Sequence, residues 1–179
     1  MKKFMGMITA LVFFLLMPML AGAQNDSSRI NKVRKEIGRE LIEMNEANWQ
    51  HLLQYYTDDI EYHDPIVDVE GIGEMTGFLA RLFGSSPDLI TTIEDESCIN
   101  DIYTATWTMT GNFAGVPYDA KGMSIIKFRP KETQAYYQRD YYTEGDIMIN
   151  IPGLDEAVGG FRYFYRCAVD PTFQGPCDF

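Results

Sequence analysis

From Ile30 onward, apolar side chains recur at Ile30, Val33, Ile37, Leu41 and Met44, with Arg, Lys and Glu between them. Spacings of three and four predict an amphipathic helix. Asn48 stands where it can cap a second, shorter helix carrying Trp49, Leu52, Leu53 and Tyr56 and ending near Thr57 and Asp58. The pattern then shortens. Ile60 to His63 reads as a brief strand running into Asp64-Pro65, and a residue before proline is pushed out of the helical region, so Asp64 is expected extended at the strand end. Ile72, Met75, Leu79, Leu82 and Phe83 predict a third helix, opened by Gly71 and Gly73 and closed by Gly84, Ser85, Ser86 and Pro87.

Everything after that helix reads as sheet. The runs Leu89 to Ile99, Ile102 to Phe113, Tyr118 to Phe128 and Thr133 to Tyr142 are rich in β-branched and aromatic residues. Asn100-Asp101, Gly115-Val116-Pro117 and Arg129-Pro130 separate them with turn chemistry suited to an antiparallel meander. Helices followed by consecutive strands cannot alternate into a parallel sheet, so the class is α+β, with helices packed on one face of a curved antiparallel sheet. Between Tyr103 and Thr110 the odd positions Tyr103, Ala105, Trp107 and Met109 form one face and four threonines the other. Neither face is strongly charged, so the back of the sheet is expected to be covered, most simply by a second copy of the chain.

The N-terminus changes where this domain is expected to reside. Lys2 and Lys3 precede an apolar run from Phe4 to Leu20, and Ala21, Gly22 and Ala23 lead into polar sequence, the order of a secretory signal peptide cleaved after Ala23. The run is short for a membrane span and is interrupted by Pro18; an uncleaved anchor is the alternative. The expectation is an exported, periplasmic or secreted protein with a signal at 1–23, a main domain at 24–154 and a C-terminal extension at 155–179. Without Lys2 and Lys3, the 15 basic side chains become 13 against 26 acidic ones, a formal charge of −13 that disfavours nucleic acid and anionic membranes as partners. Cys167 and Cys177 bracket a Pro- and Gly-containing segment and are the natural disulfide pair, worth roughly 2.5–3 kcal/mol by loop-closure entropy. Cys98 reads as a small apolar residue.

The stretch Arg39 to Pro65, ending Tyr-Tyr-Thr-Asp-Asp-Ile-Glu-Tyr-His-Asp-Pro, resembles the opening of the SnoaL-like branch of the nuclear transport factor 2 superfamily. Gly71 with its following helix, and Gln138-Arg139-Asp140-Tyr141-Tyr142 with the apolar segment to Gly153 and Leu154, are similar to later steps of the same pattern. The resemblance implies a cone-shaped, cystatin-like half-barrel with three N-terminal helices, a pocket for a small apolar molecule between helices and concave sheet, and a homodimer through the sheet's back. It implies that Asp64 matches the proton-shuttling base of the ketosteroid isomerases and Asp140 the acid/base aspartate of the polyketide cyclases. The isomerases' oxyanion tyrosine falls on Glu40 and their partner aspartate near Ser124, a departure that argues against ketosteroid isomerisation in its usual form.

Asp140 and Asp64 are therefore the candidate proton carriers, since a carboxylate in an apolar cavity has a raised pKa and works near neutral pH. Tyr62, Trp107, Ser124, Tyr136, Gln138 and Tyr142 are the candidate pocket wall. The structural alternatives are a turn-capping role for Asp64 and an ion pair of Asp140 with Lys127. His63 should point away from Asp64, and His51 and His63 have no metal-ligand spacing, so neither a metal nor another cofactor is expected. An enzyme of cyclase, isomerase or lyase type, a non-catalytic carrier of an apolar ligand, and a protein-interaction module all remain open at this point.

Overall fold

A computed structural model describes residues 27–113, 115–169, 172 and 174–177; the expected signal segment lies outside them. Helix α1 covers residues 27–42 and α2 Trp49–Leu52, the latter continued by a 3₁₀ turn at Leu53–Tyr55. Strand β1, Tyr56–His63, and the short β2, Asp68–Glu70, lead into α3, Gly71–Ser85. Four long strands follow: β3 Ile90–Ile99, β4 Ile102–Phe113, β5 Val116–Phe128 and β6 Ala135–Tyr142. The chain ends in α4, Glu144–Met148, and α5, Asp155–Val169.

The α+β class holds. The six strands run in the order β2-β1-β6-β5-β4-β3, an open curved sheet with a bulge between Ile93 and Asp95 and another between Lys127 and Phe128. One pairing departs from the expected antiparallel meander: β1 and β6 are parallel, with Tyr62 opposite Gln138, so the sheet is mixed. Strand β1 also starts four residues earlier than the sequence suggests. Tyr56 leaves the helix pattern and alternates inward with Ile60 and Tyr62, all three buried.

The helices cover one face of the sheet. Their buried residues Leu41, Trp49, Leu52, Met75, Leu79 and Phe83 meet Ile60, Tyr103, Trp107, Ile126 and Phe128 from the strands in a single core. The threonine face of β4 points the other way, as its alternation requires. Two close approaches depend on glycine. A Cβ at Gly38 of α1 would fall 2.5 Å from the Tyr103 ring, and one at Gly122 of β5 would fall 2.3 Å from the Trp107 indole across the ladder.

The buried stripe of α1 is displaced from the purely apolar pattern. Val33 is exposed, whereas Arg34 is only 2% exposed. Its guanidinium donates to the carbonyls of Asn100 (3.0 Å), Arg129 (2.7 Å) and Glu132 (2.8 Å) and to Asp101 Oδ1 (2.6 Å), and lies 5.5 Å from the Phe128 ring centre. One cation thus ties α1 to the turns β3–β4 and β5–β6, where Asn100 and Lys131 adopt positive φ.

Of the C-terminal extension, which shows little periodicity in sequence, residues 155–169 form a helix. Helix α5 is clipped by the expected Cys167–Cys177 disulfide, with Cα atoms 5.5 Å apart, and held to α4 by an Arg162–Asp146 ion pair. It leaves Phe161, Phe164 and Tyr165 exposed. Among the described residues no helix is long and apolar enough to cross a membrane.

Replacing Arg34 by Met removes these donors from three part-buried carbonyls and from Asp101; urea unfolding is expected to show a loss of about 3–5 kcal/mol. Asp101→Asn, at the half-exposed end of the same pair, is expected to cost less than about 1 kcal/mol.

Candidate functional site

Strand β6 lies in the middle of the sheet, and beyond a bulge its even positions point into the concave side. The bulge decides the fate of one candidate. Ala135 pairs with Phe128 and Tyr137 with Lys127, leaving Tyr136 as the extra residue. Its ring lies 5.0 Å from the Arg129 guanidinium instead of joining the wall formed by Gln138, Asp140 and Tyr142. Simple period-two counting put Tyr136 on that wall; the inserted residue takes it out of register.

Asp140 receives hydrogen bonds from three sides. Ser124, its register partner on β5, donates from Oγ to Oδ1 at 2.6 Å, and Ser124 is itself fixed by Trp107 Nε1–H at 2.8 Å. Gln138 Nε2 donates at 3.2 and 3.3 Å, its amide oriented by the buried Tyr56 hydroxyl, which donates to Oε1 at 2.6 Å. The Tyr62 hydroxyl lies 3.0 Å from Asp140 Oδ2 and 3.3 Å from Asp64 Oδ2, so one phenol proton bridges two carboxylates. Among the described residues no cation pairs with Asp140. Lys127 points to the other face, its ammonium 4.1 Å from the Tyr137 ring centre, which removes the ion-pair alternative.

The electrostatics follow from that donor set. Loss of hydration raises the Asp140 pKa to about 6; hydrogen bonds from Ser124, Gln138 and Tyr62 pull it down, and the Asp64 charge pushes it up. Burial beside the same carboxylates holds the Tyr62 hydroxyl well above its ordinary range, so it acts as a neutral donor. Burial likewise raises Tyr142, which donates to Asp64 Oδ2 at 3.4 Å.

Asp64 has a divided role. Oδ1 accepts the backbone N–H of Ile66 (2.7 Å) and Val67 (2.6 Å), closing the turn at Pro65, while Oδ2 faces the two tyrosines. The capping reading of Asp64 is therefore realised, and its second oxygen still belongs to the carboxylate group. His63 turns away, pairing with Asp68 across the hairpin at 2.5 Å.

Of the sequence candidates, Asp140, Asp64, Tyr62, Trp107, Ser124, Gln138 and Tyr142 converge and Tyr136 does not. Tyr56 was missed: read as a helical apolar residue, it begins β1 and sets the Gln138 amide. Glu40, at the isomerases' tyrosine position, is exposed on α1. Phe78 of α3 was missed as well; its ring packs 5.1 Å from that of Tyr62.

Residues 39–132 match the model of the SnoaL-like domain. No curated protein matches the chain in sequence. Among solved structures, a phenazine biosynthesis-related protein from Pseudomonas aeruginosa superposes with a TM-score of 0.64 at 8% identity, covering 71% of this chain and 90% of that one. A LEH-like epoxide hydrolase from M. tuberculosis gives 0.59 at 12% identity, with 72% and 97% covered. A SnoaL-like polyketide cyclase candidate from Jannaschia sp. CCS1 gives 0.58 at 20% identity, with 68% and 93% covered. At such identities the likeness is one of fold.

A ¹³C NMR titration of the aspartate carboxyls is expected to show one group with a midpoint of about 6, absent in Asp140→Asn. Because the folded state holds this proton more tightly than the unfolded chain, the associated stability is fully present below the ordinary value of 3.8 and is lost as pH rises through about 6. Asp140→Asn is expected to flatten that part of the stability profile.

Proposed function

The chain belongs to the SnoaL-like domain family, and from that premise we propose that it is an exported protein in which Asp140 carries a proton to and from an apolar carbonyl compound, in a reaction of the cyclase, isomerase or lyase type. The observation that carries the reading is a buried carboxylate that, among the described residues, is held by neutral donors and linked through one tyrosine hydroxyl to a second carboxylate, with burial raising its pKa to about 6. Near neutral pH such a group takes a proton from a carbon acid and returns it without a metal or cofactor. Tyr62 is suited to hand hydrogen bonding between Asp140 and Asp64 as charge moves. Ser124 and Gln138 hold Asp140 in one orientation.

A second reading has its own support. Asp140 already accepts hydrogen bonds at both oxygens, the arrangement expected where a carboxylate shapes a binding site and does no chemistry. In that case the protein carries an apolar ligand outside the cytoplasm. Export is supported by the N-terminal pattern and by the Cys167–Cys177 disulfide, which persists in oxidising compartments.

The reading includes a homodimer through the outer face of the sheet. Thr106, Met123 and Tyr141 form one row across β4, β5 and β6, with Met123 37% and Tyr141 44% exposed.

Two measurements check this. Native mass spectrometry of protein purified from its own host identifies a retained ligand, and NMR in D₂O then follows deuterium entering that ligand beside its carbonyl. Asp140→Asn is expected to slow exchange by about 10²–10⁴-fold and Asp64→Asn by less, while equal rates in wild type and both variants exclude the proton-transfer reading. Sedimentation is expected to give a dimer mass that Met123→Glu reduces to a monomer.

A further inference from the structure

A depression of about 400 Å³ opens to solvent between β2 and the outer side of α3. Its apolar wall comes from Val67, Val69 and Phe78, and its space from two helical glycines. A Cβ at Gly73 would meet nothing within 4 Å, and one at Gly77 would meet only Arg81, with Nη1 nearest at 3.4 Å. The Arg81 guanidinium therefore folds back over the depression, and among the described residues it has no ion-pair partner. The two acids at the rim are turned to the protein's own groups. Asp68 is paired with His63, and Glu74 accepts the Glu70 amide.

We propose that this depression is a subsite for a small molecule with an aromatic or alicyclic body and a single carboxylate, the body against Phe78 and the carboxylate on Arg81. The volume falls in the range of small-molecule sites, and a guanidinium forks naturally onto a carboxylate. Arg81 is the basic side chain in the lining, and one guanidinium takes one carboxylate. Tyr62, Asp64 and Asp140 do not line the depression; Phe78 does, and its ring packs 5.1 Å from that of Tyr62. The subsite is a binding role beyond the proton-transfer reading and does not rest on it.

The test is a ¹⁵N–¹H NMR titration with 2-naphthoate, using 2-naphthamide as the uncharged control. Shifts are expected at the amides of Val67, Gly73, Gly77 and Phe78. Gly73→Leu, which fills open space and improves helix propensity, is expected to weaken both probes by about tenfold or more. Arg81→Gln is expected to weaken naphthoate by about fivefold and naphthamide by less than about twofold. Asp140→Asn should bind naphthoate as wild type does. Shifts confined to α5 or to the outer sheet face, or wild-type affinity for naphthoate in both Gly73→Leu and Arg81→Gln, overturn the subsite. If naphthoate maps to the depression while Asp140→Asn leaves deuterium exchange unchanged, the catalytic reading fails and the subsite stands.

Discussion

The architecture depends on the buried cation of Arg34. Arg34 reaches from α1 to the two turns that close one end of the sheet and gathers three carbonyls, one carboxylate and an aromatic face. The turn backbones at Asn100 and Lys131 take a left-handed conformation that costs a side-chain-bearing residue free energy, and the converging hydrogen bonds offset that cost. With these turns fixed, α1 is seated over the concave face, the Tyr103 ring fits against Gly38, and the inner positions of β4, β5 and β6 acquire a roof. An Arg whose charge is spread over several acceptors tolerates burial that a single ion pair would not justify.

Burial gives the carboxylate group its character. Neutral donors fix Asp140 without neutralising it, so the cost of removing water dominates its titration. Each donor is anchored one step further out, Ser124 by Trp107 and Gln138 by Tyr56, and the Trp107 indole has room only because its cross-strand neighbour is Gly122. A carboxylate held this way moves little when its charge changes, which is the preorganisation that proton transfer and selective binding both require.

Much of this was legible in the chain. Alternation on β4 and β6 located Trp107, Gln138, Asp140 and Tyr142 on one side, and the Asp-Pro step located Asp64 at a strand end. What escaped had physical reasons. Arg34 was hidden because a charged residue counts as surface in any hydrophobic pattern, although it occupies the buried stripe in place of Val33. Tyr136 was misplaced because an inserted residue shifts the register without leaving a local signature. Helix α5 was overlooked because its glycines and aromatics suit a strand as well as a helix. The parallel β1–β6 pairing is a property of the whole topology, to which neither strand's own residues testify.

That pairing bears on how the protein comes into being. Tyr62 and Asp140 are 78 positions apart, and β1, already able to pair with β2, lacks its other neighbour until β6 has been synthesised. Contacts so distant along the chain form slowly, because loop entropy must be spent before any of them is rewarded. The carboxylate group, which needs Tyr62 from β1 and Asp140 from β6 side by side, is therefore complete only when the last strand has taken its place.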